Sequence, residues 1–256
     1  MTKTESRKNG SFKYVLIIVA LIAAVIFGVE LSRRNSFDKN SNNTNVSNAA
    51  NASQPFPREL RDGDNQVFVV QTKPNRIVSQ TLGTDEILLT ICEPERVVAL
   101  SNLAEDANYS NIVEKAREIP NRVTQGAEQI LQLSPDLIFV ANYSRAEVVE
   151  LLKASKAPVF RFTNFTSIED IKNNIRTVGF ATGCDAGAET LLQKFNDDLA
   201  AIKLKIPANQ KPPRVMSFGG GYTAGSKTTF NDIVRSAGAV NVSAEKGIDG
   251  FGKISA

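Results

Sequence analysis

The sequence predicts an α/β protein of two lobes joined by one rigid helix, preceded by a transmembrane helix. Three observations predict it. Short apolar runs alternate with helical stretches between residues 76 and 162. One long amphipathic stretch then follows without a strand. After Pro212-Pro213 a fresh apolar run, Arg214–Phe218, starts a second series. Buried runs of four to six residues alternating with helices are the pattern of a parallel sheet covered on both faces.

The front end is read first. Residues 14–29 (YVLIIVALIAAVIFGV) carry no charge, and at 1.5 Å per residue they make about 24 Å of helix. Leu31 and the flanking Lys13 and Arg33 extend this toward the roughly 30 Å of a hydrocarbon core. Four basic residues precede the run and two follow it, which leaves the N-terminus cytoplasmic and exports the rest. The competing reading is a cleaved signal peptide; against it, Glu30-Leu31-Ser32-Arg33-Arg34 offers no small-residue cleavage site. The expected organisation is a basic segment 1–13, a transmembrane signal anchor 14–31, and an Asn/Ser-rich tether 32–60 too poor in apolar residues to offset its ordering entropy. An N-terminal α/β lobe over 61–166, a helical segment 167–206 and the start of a second lobe over 207–256 follow.

In the first lobe, Val67–Val70 reads as an edge strand and Ile77–Ser79 as a buried one. Thr84–Ile91 is helical, with Thr84 as its cap. Strands are expected at Arg96–Leu100, Asp136–Ala141 and Pro158–Phe162, and helices at Ile112–Glu118, Glu128–Leu133 and Ala146–Ala154. Ligands of such sheets bind beyond the carboxyl ends of the strands. Gln80, Thr81, Asn102, Tyr143, Arg145 and Asn164 stand in the loops at those ends and are the candidate ligand-binding residues. Tyr143 offers a stacking face and Arg145 a cation. From Asp185 to Lys205, Leu191, Phe195, Leu199, Ile202 and Ile206 recur every three or four residues, one apolar stripe of a connector about 30 Å long.

Composition excludes several classes. Outside residues 1–34 the chain has 24 basic and 25 acidic residues, so no electrostatic footprint for nucleic acid exists. There is no histidine, which removes Ser-His-Asp triads and the commonest transition-metal ligand. No catalytic residue, metal or cofactor is expected. Cys92 and Cys184 form no metal-ligand or redox spacing and read as two small buried hydrophobes. Residues 217–230 (SFGGGYTAGSKTTF) approach a phosphate-binding P-loop, yet Ser226 stands where its lysine is required, and an enzyme using that loop on a nucleotide is the weaker alternative.

Ordered motifs then carry a resemblance. They are KPNRIVS (73–79), TDEIL (84–88), ERVVAL (95–100), GAEQILQLSPDLI (126–138), and AGSKTTFNDIV with AGAVN (224–241). With the long helix between, the chain resembles the iron-siderophore/vitamin B12 family of ABC-transporter periplasmic substrate-binding proteins. The resemblance implies a monomer that captures a ferric siderophore, or else cobalamin or haem, in the cleft between lobes and passes it to a permease in the cytoplasmic membrane. The body would then lie on the extracytoplasmic side, held to the inner membrane by the anchor. It also implies that Glu128 docks on a permease arginine, whereas its bare position is that of a solvated glutamate at a helix start. Tyr222 and Lys227 become candidate ligand residues at the mouth of the second lobe, with Gly219–Gly221 as cleft wall. The family's second lobe continues beyond what residues 207–256 hold, so that lobe is expected to be incomplete here.

Overall fold

The computed structural model describes residues 54–254 apart from 124, 125, 208 and 210. The expected basic segment, membrane anchor and most of the tether lie outside the described residues. Among the described residues no helix is long and apolar enough to cross a membrane.

Five parallel strands form the centre. In chain order they are β3 (Ile77–Ser79), β4 (Val97–Ser101), β5 (Asn121–Val123), β6 (Leu137–Ala141) and β7 (Val159–Phe162), and in space they run β5-β4-β3-β6-β7. The order reverses between β3 and β6, so their carboxyl ends border the crevice where sheets of this kind accept ligands. Every residue of β6 (LIFVA) is buried, the near-continuous apolar run that a strand covered on both faces requires. Alternate side chains divide between two cores. Ile77, Leu137 and Phe139 pack with Leu88 and Leu89 of α1 (Leu82–Ile91) and with Val178 and Ala181 of α5 (Ile168–Thr182). Val78, Ile138 and Val140 face Ile130 of α3 (Ala127–Gln132) and Val148, Val149 and Leu152 of α4 (Ala146–Ala154). The short α2 (Val113–Ala116) closes the first core through Ala116.

Several expectations are corrected. Residues 58–60, expected to belong to the tether, instead lie in strand β1 (Arg58–Arg61), paired antiparallel with β2 (Val67–Val70) in a hairpin of its own. Phe68 of that hairpin packs edge-on against Phe160, centroids 5.5 Å apart. The hairpin turn also covers the exposed edge of β7: Gly63 N–H donates to the Arg161 carbonyl at 2.6 Å, and the Arg161 guanidinium holds Asp64 at 3.0 Å. Strand β5 had not been expected, being three residues with two half-buried polar ones. The cap of α1 is Thr81, not Thr84: its hydroxyl accepts from Thr84 N–H at 3.2 Å, and the helix begins at Leu82.

The helical region breaks where expected. Gly183, at φ +71°, ends α5 in the left-handed conformation that glycine adopts without penalty. The next helix, α6 (Asp185–Lys203), packs on α5 and α1 through Ala188 and Leu192, while its second half has no fully buried residue and keeps Phe195, Leu199 and Ile202 half-buried. This corner overturns the reading of the cysteines. The fold brings the C-cap of α1 against it, with Cα atoms of Cys92 and Cys184 5.6 Å apart, and the two form a disulfide. That separation is within the range a disulfide spans without backbone movement. They are a cross-link over 92 residues, not free buried thiols.

The C-terminal segment adds β8 (Arg214–Val215), β9 (Tyr222–Ala224), α7 (Thr229–Ser236), β10 (Val240–Asn241), the short α8 (Val242–Glu245) and β11 (Phe251–Lys253). β8 pairs parallel with β10, and β9 antiparallel with β11.

Replacing both cysteines by serine is expected to lower the unfolding free energy by about 2–5 kcal/mol, read as a lower urea midpoint. A wild-type midpoint unchanged by reductant would contradict the cross-link.

Candidate functional site

At the switch point, β3 ends in a polar network that no single residue could maintain alone. Ser79, Thr81, Thr84, Asp85 and Ser101 are all nearly inaccessible, and buried polar groups of this kind must satisfy one another. Ser79 Oγ meets Thr84 Oγ1 at 2.5 Å, and Thr84 Oγ1 meets Thr81 Oγ1 at 2.8 Å. Asp85, in the first turn of α1, receives Ser101 Oγ–H at 2.5 Å and Ser101 N–H at 3.2 Å. The carboxyl therefore ties the start of α1 to the carboxyl end of β4. Burial pushes Asp85 up to about 7, even though the Ser101 and Ser79 hydrogen bonds favour its ionised form. Beside it, burial also raises Glu86, which accepts from Asn111 N–H and Nδ2 at 3.0 and 3.1 Å and so holds the loop leading to α2.

Above this floor stand the loops after β6 and β7. Asn142 clips them together, its N–H on the Phe162 carbonyl at 2.8 Å and its Nδ2 on the Thr163 carbonyl at 3.3 Å. This sets Tyr143 against Phe165, ring centroids 5.7 Å apart and tilted by 49°. The Tyr143 ring is 66% exposed. Partial burial pushes the pKa of its hydroxyl above the usual phenol value, Thr81 opposes that shift, and the charge of Asp85 adds to it. Gln80 completes the group. Its Nε2 is enclosed without a protein partner among the described residues, a donor of the sort a bound molecule or water must satisfy.

The structure thus places Thr81 near Tyr143 across β3 and β6, with Gln80 just before Thr81 at the end of β3. Thr81 is nearly buried, and its hydroxyl serves the cap and the network. Asn102, exposed in a 3₁₀ turn after β4, and Arg145, exposed at the start of α4 with Glu147 3.9 Å away, flank the group. Asn164 instead lines a small polar cavity of about 120 Å³ with Arg61, Asp170 and Asn173, and its carbonyl accepts from Asn174. In the C-terminal segment Lys227, at φ +53°, is paired with Asp249 at 2.6 Å, so its charge is already matched. Tyr222 is half exposed next to a tight turn. That turn explains the glycines: Gly219 and Tyr222 exchange both backbone hydrogen bonds, at 3.0 and 2.9 Å, around Gly220 and Gly221 at φ +58° and +80°. Positive φ at both central residues is the two-residue hairpin geometry that glycine favours. Glu128 sits exposed in the first turn of α3.

Asp85 and Phe165 are not among the candidate ligand-binding residues read from the sequence. A signal for Asp85 was present, since it stands three and four residues before Leu88 and Leu89 and shares their buried face. Phe165, the aromatic of a polar loop, had no periodic signal.

A family model described as periplasmic binding protein, Peripla_BP_2, matches residues 77–256. A cobalamin-binding protein of Halobacterium salinarum is 27% identical over 195 residues, 74% of this chain and 52% of that protein. An uncharacterised ABC transporter substrate-binding lipoprotein of Bacillus subtilis, YvrC, is 23% identical over 78% of this chain and 65% of its own length. The chain therefore spans between about half and two thirds of the curated relatives it matches. The periplasmic heme-binding protein RhuT of Roseiflexus sp. RS-1 superposes with a TM-score of 0.60 at 26% identity, over 71% of this chain and 70% of that one.

Because Asp85 is raised from 3.8 to about 7, the folded state favours its protonated form. Its contribution to stability is complete near pH 4 and is lost as pH rises through 7. Urea midpoints of wild type are expected to fall between pH 5 and pH 8. Asp85→Asn should flatten that slope; equal slopes in the two proteins would refute the assignment.

Proposed function

Because the chain belongs to the periplasmic binding protein family (Peripla_BP_2), we propose that it is the substrate-binding component of an ABC importer, capturing a ferric siderophore at the switch point and passing it to a permease. The observation that carries the reading is the exposed Tyr143 ring backed by the half-buried Phe165, with the Gln80 amide unpartnered among the described residues, in the loops at the carboxyl ends of β3, β6 and β7. An aromatic wall with a few convergent polar groups suits a large ligand held whole. Arg145 supplies a nearby cation for an anionic chelate. Neither feature offers acid–base or nucleophilic machinery, which accords with binding rather than catalysis.

A corrinoid is the second reading, favoured by the 27% identity to a cobalamin-binding protein. Haem is the third, and in a chain without histidine its iron would need a tyrosine. On the same reading Glu128 meets a basic permease residue, a charge pair that contributes orientation and association rate. Residues 14–31 anchor the body to the inner membrane on its extracytoplasmic side, and 32–57 tether it. The body acts as a monomer.

The absence of tryptophan leaves tyrosine emission as a direct reporter. Titrating the full chain in detergent with ferric catecholates, ferric hydroxamates, cyanocobalamin and hemin is expected to give saturable quenching by an iron chelate. Tyr143→Ala should weaken it by about tenfold or more, about 1.4 kcal/mol. Saturation by cyanocobalamin alone would transfer the reading to a corrinoid, and no saturation by any of the four would overturn it. Glu128→Arg is expected to leave that affinity unchanged while abolishing uptake in cells; retained uptake would remove Glu128 from the docking role.

A further inference from the structure

The short segment between β7 and α5 carries Phe165, and it is held from two sides. Its own helix start supplies one hold: Asp170 Oδ2 accepts from Thr166 N–H and Oγ1–H, both at 2.8 Å, and from Ser167 N–H at 3.1 Å. Ser167 Oγ in turn accepts from Asp170 N–H at 3.0 Å, completing a capping box. The other hold comes from a distant part of the chain. Thr229 Oγ1–H, in the first turn of α7, donates to the Phe165 carbonyl, and Asp232 Oδ2 accepts from Ile168 N–H at 2.8 Å.

These two bonds reach groups that α5 leaves free. Ile168 N–H is among the first amides of its helix and has no intrahelical acceptor, and a carboxylate there is also favoured by the helix dipole. The Phe165 carbonyl lies in the loop just before the helix and has no partner within α5. α7 is itself firmly seated. Thr228 caps it by accepting from Asn231 N–H at 3.2 Å, its hydroxyl donates to the Gly225 carbonyl at 2.8 Å, and Val234 is buried. Three residues before Ile168, the Phe165 ring lies against the Tyr143 ring, centroids 5.7 Å apart.

We propose that Thr229 and Asp232 are positioning residues for the ligand-binding wall. They hold the Phe165 backbone from the C-terminal segment, so that the ring backs Tyr143 at the switch point. The inference rests on the binding role given above to that wall, and it makes the C-terminal segment a determinant of first-lobe affinity without touching ligand. A displacement of α7 would move the carbonyl and amide that bracket Phe165, and with them the face that Tyr143 presents.

The test labels tyrosine rings with ¹³C in the full chain. Only four tyrosines are present, so the Tyr143 signal is assigned by its loss in Tyr143→Phe. Thr229→Val and Asp232→Ala are each expected to shift the Tyr143 ring signal. Each should also weaken ferric catecholate or cyanocobalamin binding about tenfold. Thr229→Ser and Asp232→Asn keep a donor and an acceptor, and are expected to preserve both readouts. Circular dichroism confirms that each variant is folded, and either site decides alone. A Tyr143 signal unmoved in Thr229→Val and Asp232→Ala overturns the proposal, as does a shifted signal in the conservative pair. If wild type binds neither probe, the functional reading fails while the Tyr143 signal still decides the coupling.

Discussion

The corner between α5 and α6 is the constraint on which the remaining architecture depends. Thr182, Cys184 and Asp185 flank Gly183 and are held from elsewhere in the chain, by Arg96, Cys92 and Arg58 respectively. Arg58, 2% exposed, donates to Asp185 Oδ2 at 2.8 Å and to the Phe180 carbonyl at 2.6 Å, with its guanidinium stacked near the rings of Phe56 and Phe180. Arg96, almost as buried, donates to the Thr182 carbonyl at 2.5 Å and to the Pro74 carbonyl at 2.6 Å, and its Nη1 lies 3.2 Å from Cys184 Sγ. Two buried guanidiniums near one turn are costly to desolvate. They are tolerated because carbonyls, a carboxylate and a sulfur take up their donors. Removing one partner of such a pair costs about 3–5 kcal/mol. The corner thereby sets the direction of α6, the seat of the N-terminal hairpin and the end of α1.

α1 then connects that corner to the ligand-facing side. Its C-terminal end is bonded to the corner through Cys92, and its N-terminal end carries Thr81 and Asp85 under the Tyr143–Phe165 wall. The helix is ten residues long, about 15 Å of rigid rod at 1.5 Å per residue. The site floor is consequently referenced to the most heavily cross-linked part of the molecule, while its aromatic wall rests on loops. A rigid floor beneath an adjustable wall is a sensible division for a binder, because binding residues are best placed on loops held by a stiff scaffold.

Much of this was legible in the sequence, for identifiable reasons. The apolar runs at 77–79, 97–100 and 137–141 are uninterrupted because both faces of the sheet are covered, and helix 146–154 has the bounds its pattern implies. The switch-point loops follow from strand order once a parallel sheet is assumed. What escaped depends on contacts far apart in the chain. β1 follows an Asn/Ser-rich stretch and two prolines, so its strand character rests on pairing with β2 and on Arg58 reaching Asp185. The cysteines were read by spacing alone, although a pair of cysteines in an exported body is better read as a disulfide. Asp85 was passed over as one more charged residue of a helix start. Lys227 looked free because Asp249 is 22 residues away.

The buried Arg58 also has a consequence for the order in which the molecule forms. Its two principal acceptors outside the N-terminal segment lie 122 and 127 residues later in the chain. A chain made from its N-terminus therefore presents β1 and β2 long before anything exists to receive that guanidinium. The hairpin on its own is marginal in water, as isolated two-stranded pairs are. It must wait, with Val67 and Val69 on one side and an unmatched charge at its base, until the turn after α5 has emerged and closed. Contacts of such sequence separation slow folding because the loop entropy is lost before the contact is gained. The first of the described strands to appear is thus among the last to be secured.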